Sequence, residues 1–313
     1  AKLDTSGNML WERKYAYGAD PTDWFEAFTM TSDKGFICVG SADRDDTLPA
    51  YSQSIWAVKI DSNGCLYPTA ACVTGVEDIQ AEEGVNVTLL ARNEEKLKSV
   101  LASLPNPEKH SYLVADFSNP TELKELVQNF IAENHGFHIV INNTGGPRSG
   151  TLLDATLAQF EDTFTMHLKC NHVLAQATIP FMKTQCFGRI VNVISTSVKE
   201  PIPGLGVSNT IRGAVGNWSK TLADEVAAFG ITVNNVLPGF TETERLNEII
   251  KVKASKENKT FDEMAQIMKH YTPVKRFAKP EETANAIVFL ASEKASYING
   301  INVPVDGGRT KSL

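Results

Sequence analysis

The amino-acid sequence predicts an α/β fold with a doubly wound parallel sheet, truncated on its N-terminal side and preceded by a small antiparallel β segment. After about residue 80, short apolar runs alternate with long helical patterns, which is typical of parallel strands joined by crossover helices. Before that point, short alternating runs contain aromatic residues and end in turn residues, as antiparallel strands do. We therefore predict two domains, a β-repeat segment over residues 1–79 and an α/β domain over residues 80–313.

The N-terminal segment repeats itself. The stretch KLDTSG at residues 2–7 returns as KIDSNG at residues 59–64, each a strand end that runs into a turn. This pattern resembles the blade-like repeats of secreted bacterial β-propeller proteins, and an ordinary hairpin-rich domain is the alternative. Such repeats bury their apolar faces against neighbouring copies, so one copy and a fragment would be poorly stable alone.

The α/β part contains six predicted strands, with the sequences VNVTLLA, SYLVAD, HIVINN, RIVNVIS, ITVNNVLP and INVPVD. Asn119 and Pro120 would begin a helix that continues to Val127, because Asn is a favoured N-cap and Pro is tolerated at the first helical position. Two long helices are predicted over residues 155–183 and 206–230. The stretch between the last two strands, up to Lys279, is typical of an inserted helical lid.

Composition excludes several classes of partner. A formal net charge of −7 and a pI near 5.5 argue against nucleic acid and against an anionic membrane. No apolar run approaches the roughly 20 residues that span a bilayer, and Ala1 opens on polar sequence without a signal pattern, so a cytoplasmic protein is expected. The N-terminal segment nevertheless has the style of an exported protein.

The cysteines and histidines form no metal-binding pattern, so we predict no metal. Cys170 and Cys186 are expected to be ordinary thiols in or near the core. Cys65 and Cys72 would form a disulfide only in an oxidising compartment.

Four short motifs follow the ends of successive predicted strands in the α/β part of the chain. They are Asn142-Asn143-Thr144-Gly145, Ser195 at the next strand end, Pro238-Gly239 at the following one, and Val305-Asp306-Gly307-Gly308 near the C-terminus. From residue 80 onward the chain thereby resembles the short-chain dehydrogenase/reductase family, most closely its 3-oxoacyl-acyl-carrier-protein-reductase-like members. The resemblance implies a Rossmann-like fold, a nicotinamide dinucleotide, a small carbonyl or alcohol substrate, and a homo-oligomer formed through the two long helices.

Cofactor preference follows from the residues at the strand ends. Arg92 stands where an acidic residue would bind a ribose 2′-hydroxyl, and its guanidinium would pair with a 2′-phosphate, so NADP (NADPH) is favoured over NAD. A solvated Arg92 at a helix start is the alternative. The resemblance places Asp116 at the adenine amine, unless it is a simple loop carboxylate. It also assigns cofactor contacts to a further set of residues: Asn142, Thr144, Gly145, Pro238, Gly239 and Thr243.

The glycine-rich turn of the family is missing. Gly75 and Gly84 leave no room for the turn and its helix, whose main-chain amides and N-terminal partial charge would bind the pyrophosphate. A fusion near residues 79 and 80 to a reductase without its first βα unit would explain this. Alternatively, residues 69–74 replace the missing first strand.

The expected catalytic positions are also altered. The family uses a Tyr as general acid and a Lys four residues later, but here those positions, counted from Ser195, carry Ser208 and Arg212. His167 stands where the family usually has Asn, and its imidazole would supply a proton if it points into the pocket. For Ser208, Arg212 and His167 the alternatives are a helix-start hydroxyl, a surface cation and a packed helical histidine.

Two functions are therefore open. The first is an NADP-linked oxidoreductase of the short-chain type. The second is a non-catalytic relic or fusion product with a broken cofactor site.

Overall fold

The structure, a computed structural model, describes residues 85–134 and 136–312 in full, and it describes five N-terminal strands by their backbone. The chain divides into two compact units, Ala1–Val85 and Asn86–Leu313. In the first unit, β1 pairs antiparallel with β2, and β3, β4 and β5 form an antiparallel sheet. These strands are β1 (Lys2–Leu3), β2 (Met9–Trp11), β3 (Trp24–Met30), β4 (Phe36–Asp43) and β5 (Gln53–Ile60).

The second unit contains parallel strands only, in two sets, so the predicted α/β fold with a parallel sheet is confirmed. One set has the order β8-β9-β10-β11, and the other is the pair β6-β7. The six strands are β6 (Thr88–Ala91), β7 (Ser111–Val114), β8 (Ile139–Asn142), β9 (Gly188–Val193), β10 (Ile231–Pro238) and β11 (Asn302–Val305). Within residues 85–134 and 136–312, no strand pairs with the second edge of β6 or of β8. The predicted replacement strand at residues 69–74, Cys65 and Cys72 lie outside the described residues.

Helices cover the strands. They are α1 (Glu94–Ser103), α2 (Pro120–Asn134), α3 (Leu157–Phe164), α4 (Cys170–Gln185), α5 (Gly206–Val226), α6 (Glu244–Lys256), α7 (Phe261–His270) and α8 (Pro280–Ala291). The helix that begins at Pro120 is longer than predicted, because its apolar face continues past Val127. The first long predicted helix is found as one continuous helical segment from α3 to α4, but it contains a π-helical turn at Thr165–Lys169 that the sequence did not predict.

The sheet β8–β11 is packed on both faces, as in a doubly wound fold. One face packs on α4 and α5, and the other packs on α8. The pair β6-β7 shares its core with α2 and α4 through Leu123, Val127 and Cys170. Cys186, predicted in or near the core, is exposed, because it follows the end of α4 with a left-handed backbone (φ 50°). No helix in this part of the chain is long and apolar enough to cross a membrane.

A ladder of four asparagines crosses the sheet near its carboxyl edge. Asn142, Asn192, Asn235 and Asn302 lie opposite one another in register on β8 to β11. Their amide groups donate along the row at 2.7, 3.1 and 2.8 Å. Because buried amides without partners are costly, the three bonds along this row favour one register of the strands whose ends form the site, while Oδ1 of Asn142 at the end of the row has no partner among the described residues.

The predicted lid between β10 and α8 is helical and has its own core. It leaves and returns through two backbone bonds, from Glu242 to the Ala278 carbonyl (2.9 Å) and from Ala278 to the Phe240 carbonyl (2.8 Å). Between them, α6 and α7 pack against each other through buried apolar side chains. The lid is therefore a compact insertion that leaves and returns at one place, and it also contacts the turn after β8, since Arg245 donates to the Pro147 carbonyl (3.1 Å).

Candidate active site

The proposed catalytic residues come from β9, α5 and the π-helical turn. Ser195 follows β9, is half-buried, and accepts a hydrogen bond on Oγ from the Ser197 amide (3.1 Å), which leaves its own proton free to be donated. Ser208 is half-buried in the first turn of α5. Arg212 lies one turn further on the same helix face, since residues four apart are neighbours on an α-helix.

Arg212 is a buried residue, so its interpretation as a surface cation is wrong. Its side chain is 7% exposed. Nη1 donates to the carbonyls of Val193 (2.7 Å) and Ile194 (3.1 Å), and Nη2 donates to that of Thr144 (3.4 Å). Burial lowers the pKa of the guanidinium to about 10, so Arg212 remains a cation at neutral pH. The side chain holds α5 against the end of β9 and against the turn that follows β8.

His167 lies in the π-helical turn and is 2% exposed. Its Nδ1 shares a hydrogen bond with Thr144 Oγ1 (2.5 Å), while Nε2 is buried without a partner among the described residues. Burial, and secondarily the charge of Arg212, lower the pKa of the imidazole to about 3. The ring is therefore neutral at physiological pH and has no imidazolium proton to give. π-Helical turns of this kind are frequent at functional sites.

The residues predicted to bind the cofactor's adenosine end lie at the ends of β6, β7 and β8. Arg92 is exposed directly after β6. Asp116 is exposed after β7, and the Ser118 amide (2.9 Å), more than the charge of Arg92, lowers the pKa of its carboxyl. A Cβ added to Gly145 would meet no atom within 4 Å, so the space beside this turn is open. An exposed cation, a carboxylate and an open glycine turn fit the adenosine half of a nicotinamide dinucleotide.

The other residues that were predicted to bind the cofactor make structural contacts within the fold. Asn142 is buried in the asparagine ladder. Pro238 ends β10, and Gly239 allows a close approach, because a Cβ there would lie 2.6 Å from the Cα of Asp306. Thr243 caps α6, where its hydroxyl accepts from the Leu246 amide (3.4 Å). Residues 75–84, where the glycine-rich turn of the family would lie, are outside the described residues.

The sequence did not reveal two features. Arg309 lies over the Phe240 ring (4.4 Å) and donates to Thr196 Oγ1 (3.4 Å), which ties the C-terminal segment to the strand end beyond Ser195. A cleft of about 450 Å³ lies between the lid helices. In the sequence, the Asp-Gly-Gly motif just before Arg309 drew attention to the C-terminal segment but did not predict the contacts of Arg309. No sequence motif predicted the cleft.

Comparisons with known proteins identify relatives of the second unit. A family model described as enoyl-(acyl carrier protein) reductase matches residues 78–310. The 3-oxoacyl-acyl-carrier-protein reductase of Rickettsia bellii is 32% identical over 72% of this chain and 86% of its own length. The 4-formylbenzenesulfonate dehydrogenase of Comamonas testosteroni is 32% identical over 63% of this chain and 76% of its own length.

Solved structures of reductases are also similar to this chain. L-sorbose reductase from Gluconobacter frateurii, complexed with NADPH and L-sorbose, has a TM-score of 0.70 at 29% identity and covers 76% of this chain and 92% of its own. YwfH, an NADPH-dependent reductase of bacilysin biosynthesis, has a TM-score of 0.69 at 27% identity, with 76% and 93% covered. The family model begins at residue 78, and the comparisons give no support to the propeller repeat or the fusion. Among the described residues no group of three or more metal-binding side chains occurs.

Proposed function

Because the chain belongs to the short-chain dehydrogenase/reductase family, we propose that it is an NADP-dependent oxidoreductase that interconverts a small-molecule carbonyl compound and its alcohol. One observation carries the proposal. The bond from Arg212 to the Ile194 carbonyl (3.1 Å) brings the face of α5 that bears Ser208 and Arg212 to the strand end that bears Ser195. The relic considered from the sequence is not favoured, since the relatives are reductases and dehydrogenases.

NADP rather than NAD is favoured by Arg92, whose exposed guanidinium suits a 2′-phosphate. YwfH is NADPH-dependent and the L-sorbose reductase structure contains NADPH, which supports the same preference. When bound, the nicotinamide would supply the hydride of the reaction. Asp116 would accept a hydrogen bond from the adenine amine, and Gly145 would let the main chain approach the adenosine.

Each side chain of the proposed site has a task. Ser195 would donate its free proton in a hydrogen bond to the substrate carbonyl. Ser208 would pass on a proton taken from water, because a hydroxyl both donates and accepts. The charge of Arg212 would stabilise negative charge that develops on the carbonyl oxygen. His167 supports these groups as a neutral partner of Thr144 and not as a proton donor.

The proposal is tested by binding first and by chemistry second. NADPH should raise the melting temperature of the protein and show enhanced fluorescence on titration, and a panel of aldehydes and ketones should then consume NADPH. Ser195→Ala should lower kcat by about 10²- to 10⁴-fold. Ser103→Ala, at the exposed end of α1, is the control and should leave kcat unchanged. A protein that does not bind NADPH would refute the proposal. A homo-oligomer and a cytoplasmic location remain predictions.

A further inference from the structure

Arg309 contacts two parts of the fold that lie far apart in the sequence. Its guanidinium lies over the Phe240 ring, 4.4 Å from the ring centroid, and its Nη1 donates to Thr196 Oγ1 (3.4 Å). Burial lowers the pKa of this half-buried guanidinium, but the charges of Asp306 and Glu200 oppose the shift and the group remains a cation. One charged side chain therefore links the start of the lid to the turn that follows β9.

On the lid side, Arg309 reaches the core of the lid through Phe240. The Phe240 ring meets the Phe277 ring edge to face, with centroids 6.1 Å apart, and both rings pack on the buried side chains of α6 and α7. The Phe240 carbonyl also accepts from the Ala278 amide (2.8 Å), where the lid returns. Because a close-packed core transmits displacement, a shift of α6 or α7 moves the ring on which Arg309 lies.

On the strand side, Arg309 holds the residue next to Ser195. Thr196 is 3% exposed and begins a short 3₁₀ turn, and its carbonyl accepts from the Lys199 amide (3.0 Å). The amide of Ser197, one residue further, donates to Ser195 Oγ (3.1 Å). Thr196 thus lies between Ser195 and the amide that orients its hydroxyl, so a bond to Thr196 restrains both neighbours.

Arg309 itself extends from a closely packed turn. Gly307 and Gly308 have left-handed backbones (φ 62° and 81°), and the Asp306 carboxylate accepts from the Gly308 amide (3.0 Å). A Cβ on Gly307 would lie 2.5 Å from the Val274 side chain, so only glycine lets the turn pack this closely on the segment that returns from the lid. A side chain whose backbone is fixed in this way passes a displacement of the lid on to the strand end.

We propose that Arg309 is a positioning residue that couples the lid to Ser195, so that the packing of α6 and α7 fixes the direction in which Ser195 presents its hydroxyl to the substrate carbonyl. The inference rests on the proposed function, because it concerns the hydrogen bond that Ser195 would donate there. In this role Arg309 acts through Thr196 and Phe240 and not on the reacting atoms. A cation–π contact and a charge-assisted hydrogen bond each change a local equilibrium by about tenfold.

Hydrogen exchange tests the coupling without turnover. The Ser197 amide donates to Ser195 Oγ, so its exchange rate, measured by NMR, reports how well that hydroxyl is held. Arg309→Met keeps the length of the side chain but removes its charge, and Phe240→Leu removes the ring beneath it. Each change should accelerate exchange about tenfold, and the two together should accelerate it no further, because both break the same link. Arg309→Lys keeps a cation over the ring and should exchange nearly as slowly as the unchanged protein.

Arg276→Met is the matched control. Arg276 is an exposed arginine of the same lid segment, and it pairs with Glu282 (2.6 and 2.7 Å) at the start of α8. Its replacement should leave both the Ser197 exchange rate and kcat unchanged. In assays with NADPH and the best carbonyl substrate, Arg309→Met should lower kcat about tenfold and leave KM within about twofold, since the Ser195 bond acts mainly in the transition state. Arg309→Lys should restore kcat.

Two results would overturn the inference and leave the proposed function standing. One is additive acceleration in the double variant. The other is a lower melting temperature of Arg309→Met with unchanged Ser197 exchange and kcat, which would make Arg309 a stabilising contact only. If Arg309→Met does not fold, Phe240→Leu decides alone, since Phe240 is linked to Thr196 through Arg309. If the unchanged protein reduces no carbonyl compound, the proposed function fails and hydrogen exchange alone decides the inference.

Discussion

His167 should make the protein sensitive to acid, and the structure sets the size of the effect. The imidazole has a pKa of about 3 in the folded protein against 6.5 when free, so between these values the unfolded chain binds more protons. Stability contributed by the neutral ring is complete above pH 6.5 and is lost as the pH falls towards 3. Since one pKa unit corresponds to about 1.4 kcal/mol, the loss between about pH 7.5 and pH 5 is about 2 kcal/mol.

Urea denaturation at these two pH values measures that loss. His167→Asn keeps an amide able to bond Thr144 and cannot be charged, so its unfolding free energy should fall by about 2 kcal/mol less than that of the unchanged protein. His172→Gln removes an imidazole from the exposed side of α4 and serves as the control. Equal pH dependence in the unchanged protein and in His167→Asn would refute the reasoning, because the ring would then be no less easily protonated in the fold than in the unfolded chain.

Three further predictions concern the cofactor, the chemistry and the assembly. Arg92→Asp should weaken NADPH at least about tenfold more than NADH in fluorescence titrations, because it places a like charge at the 2′-phosphate. Ser208→Tyr should raise the rate of NADPH-linked carbonyl reduction by about 10²-fold, because a phenol beside a cation is a far stronger acid than a serine hydroxyl. Leu153, just before α3, and Leu157, its first residue, are 98% and 80% exposed, so changing both to Glu should convert a predicted dimer or tetramer to a monomer in light scattering.

Each of these has a contradicting result. Equal loss of both cofactors would reject the 2′-phosphate assignment of Arg92. An unchanged rate in a well-folded Ser208→Tyr protein would place the proton donor elsewhere. A monomer at micromolar concentration in the unchanged protein would contradict association through the long helices, to which α3 belongs.

Most of the sheet could be predicted from the sequence, because strands buried on both faces are rich in β-branched and other apolar residues. The run ITVNNVLP matches β10 residue for residue, and all but its last residue are buried. The π-helical turn at Thr165–Lys169 could not be predicted, since its residues fit an ordinary helix and only packing decides the extra residue. The apolar pattern of residues 155–183 continues through the turn, so one uninterrupted helix was the natural expectation.

The site was predicted only in part, because sequence spacing shows which residues share a helix face but not how deeply they are buried. Spacing from Ser195 identified Ser208 and Arg212 as residues of one helix face, which the structure reproduces. Spacing says nothing about burial, and so the choice between a surface cation and a buried one was open. The 7% exposure of Arg212 comes from where α5 meets the ends of β8 and β9, which is a tertiary property.

Arg212 therefore supplies both a positive charge and a set of structural hydrogen bonds, whereas a lysine in its place would supply the charge alone. Its fixed, planar group reaches three carbonyls at two different chain segments, and a compact ammonium with three donors on a flexible stem would not hold all three in the same geometry. Replacing Arg212 would loosen the Thr144 turn, and with it the position of His167, at the same time as it altered the charge of the site. For this reason Ser208→Tyr with Arg212 retained isolates the chemistry of the proton donor, whereas a combined change to Tyr and Lys would mix that chemistry with the loss of a scaffold. The departure from Lys to Arg thus gives a site whose cation is built into the framework of β8, β9 and α5.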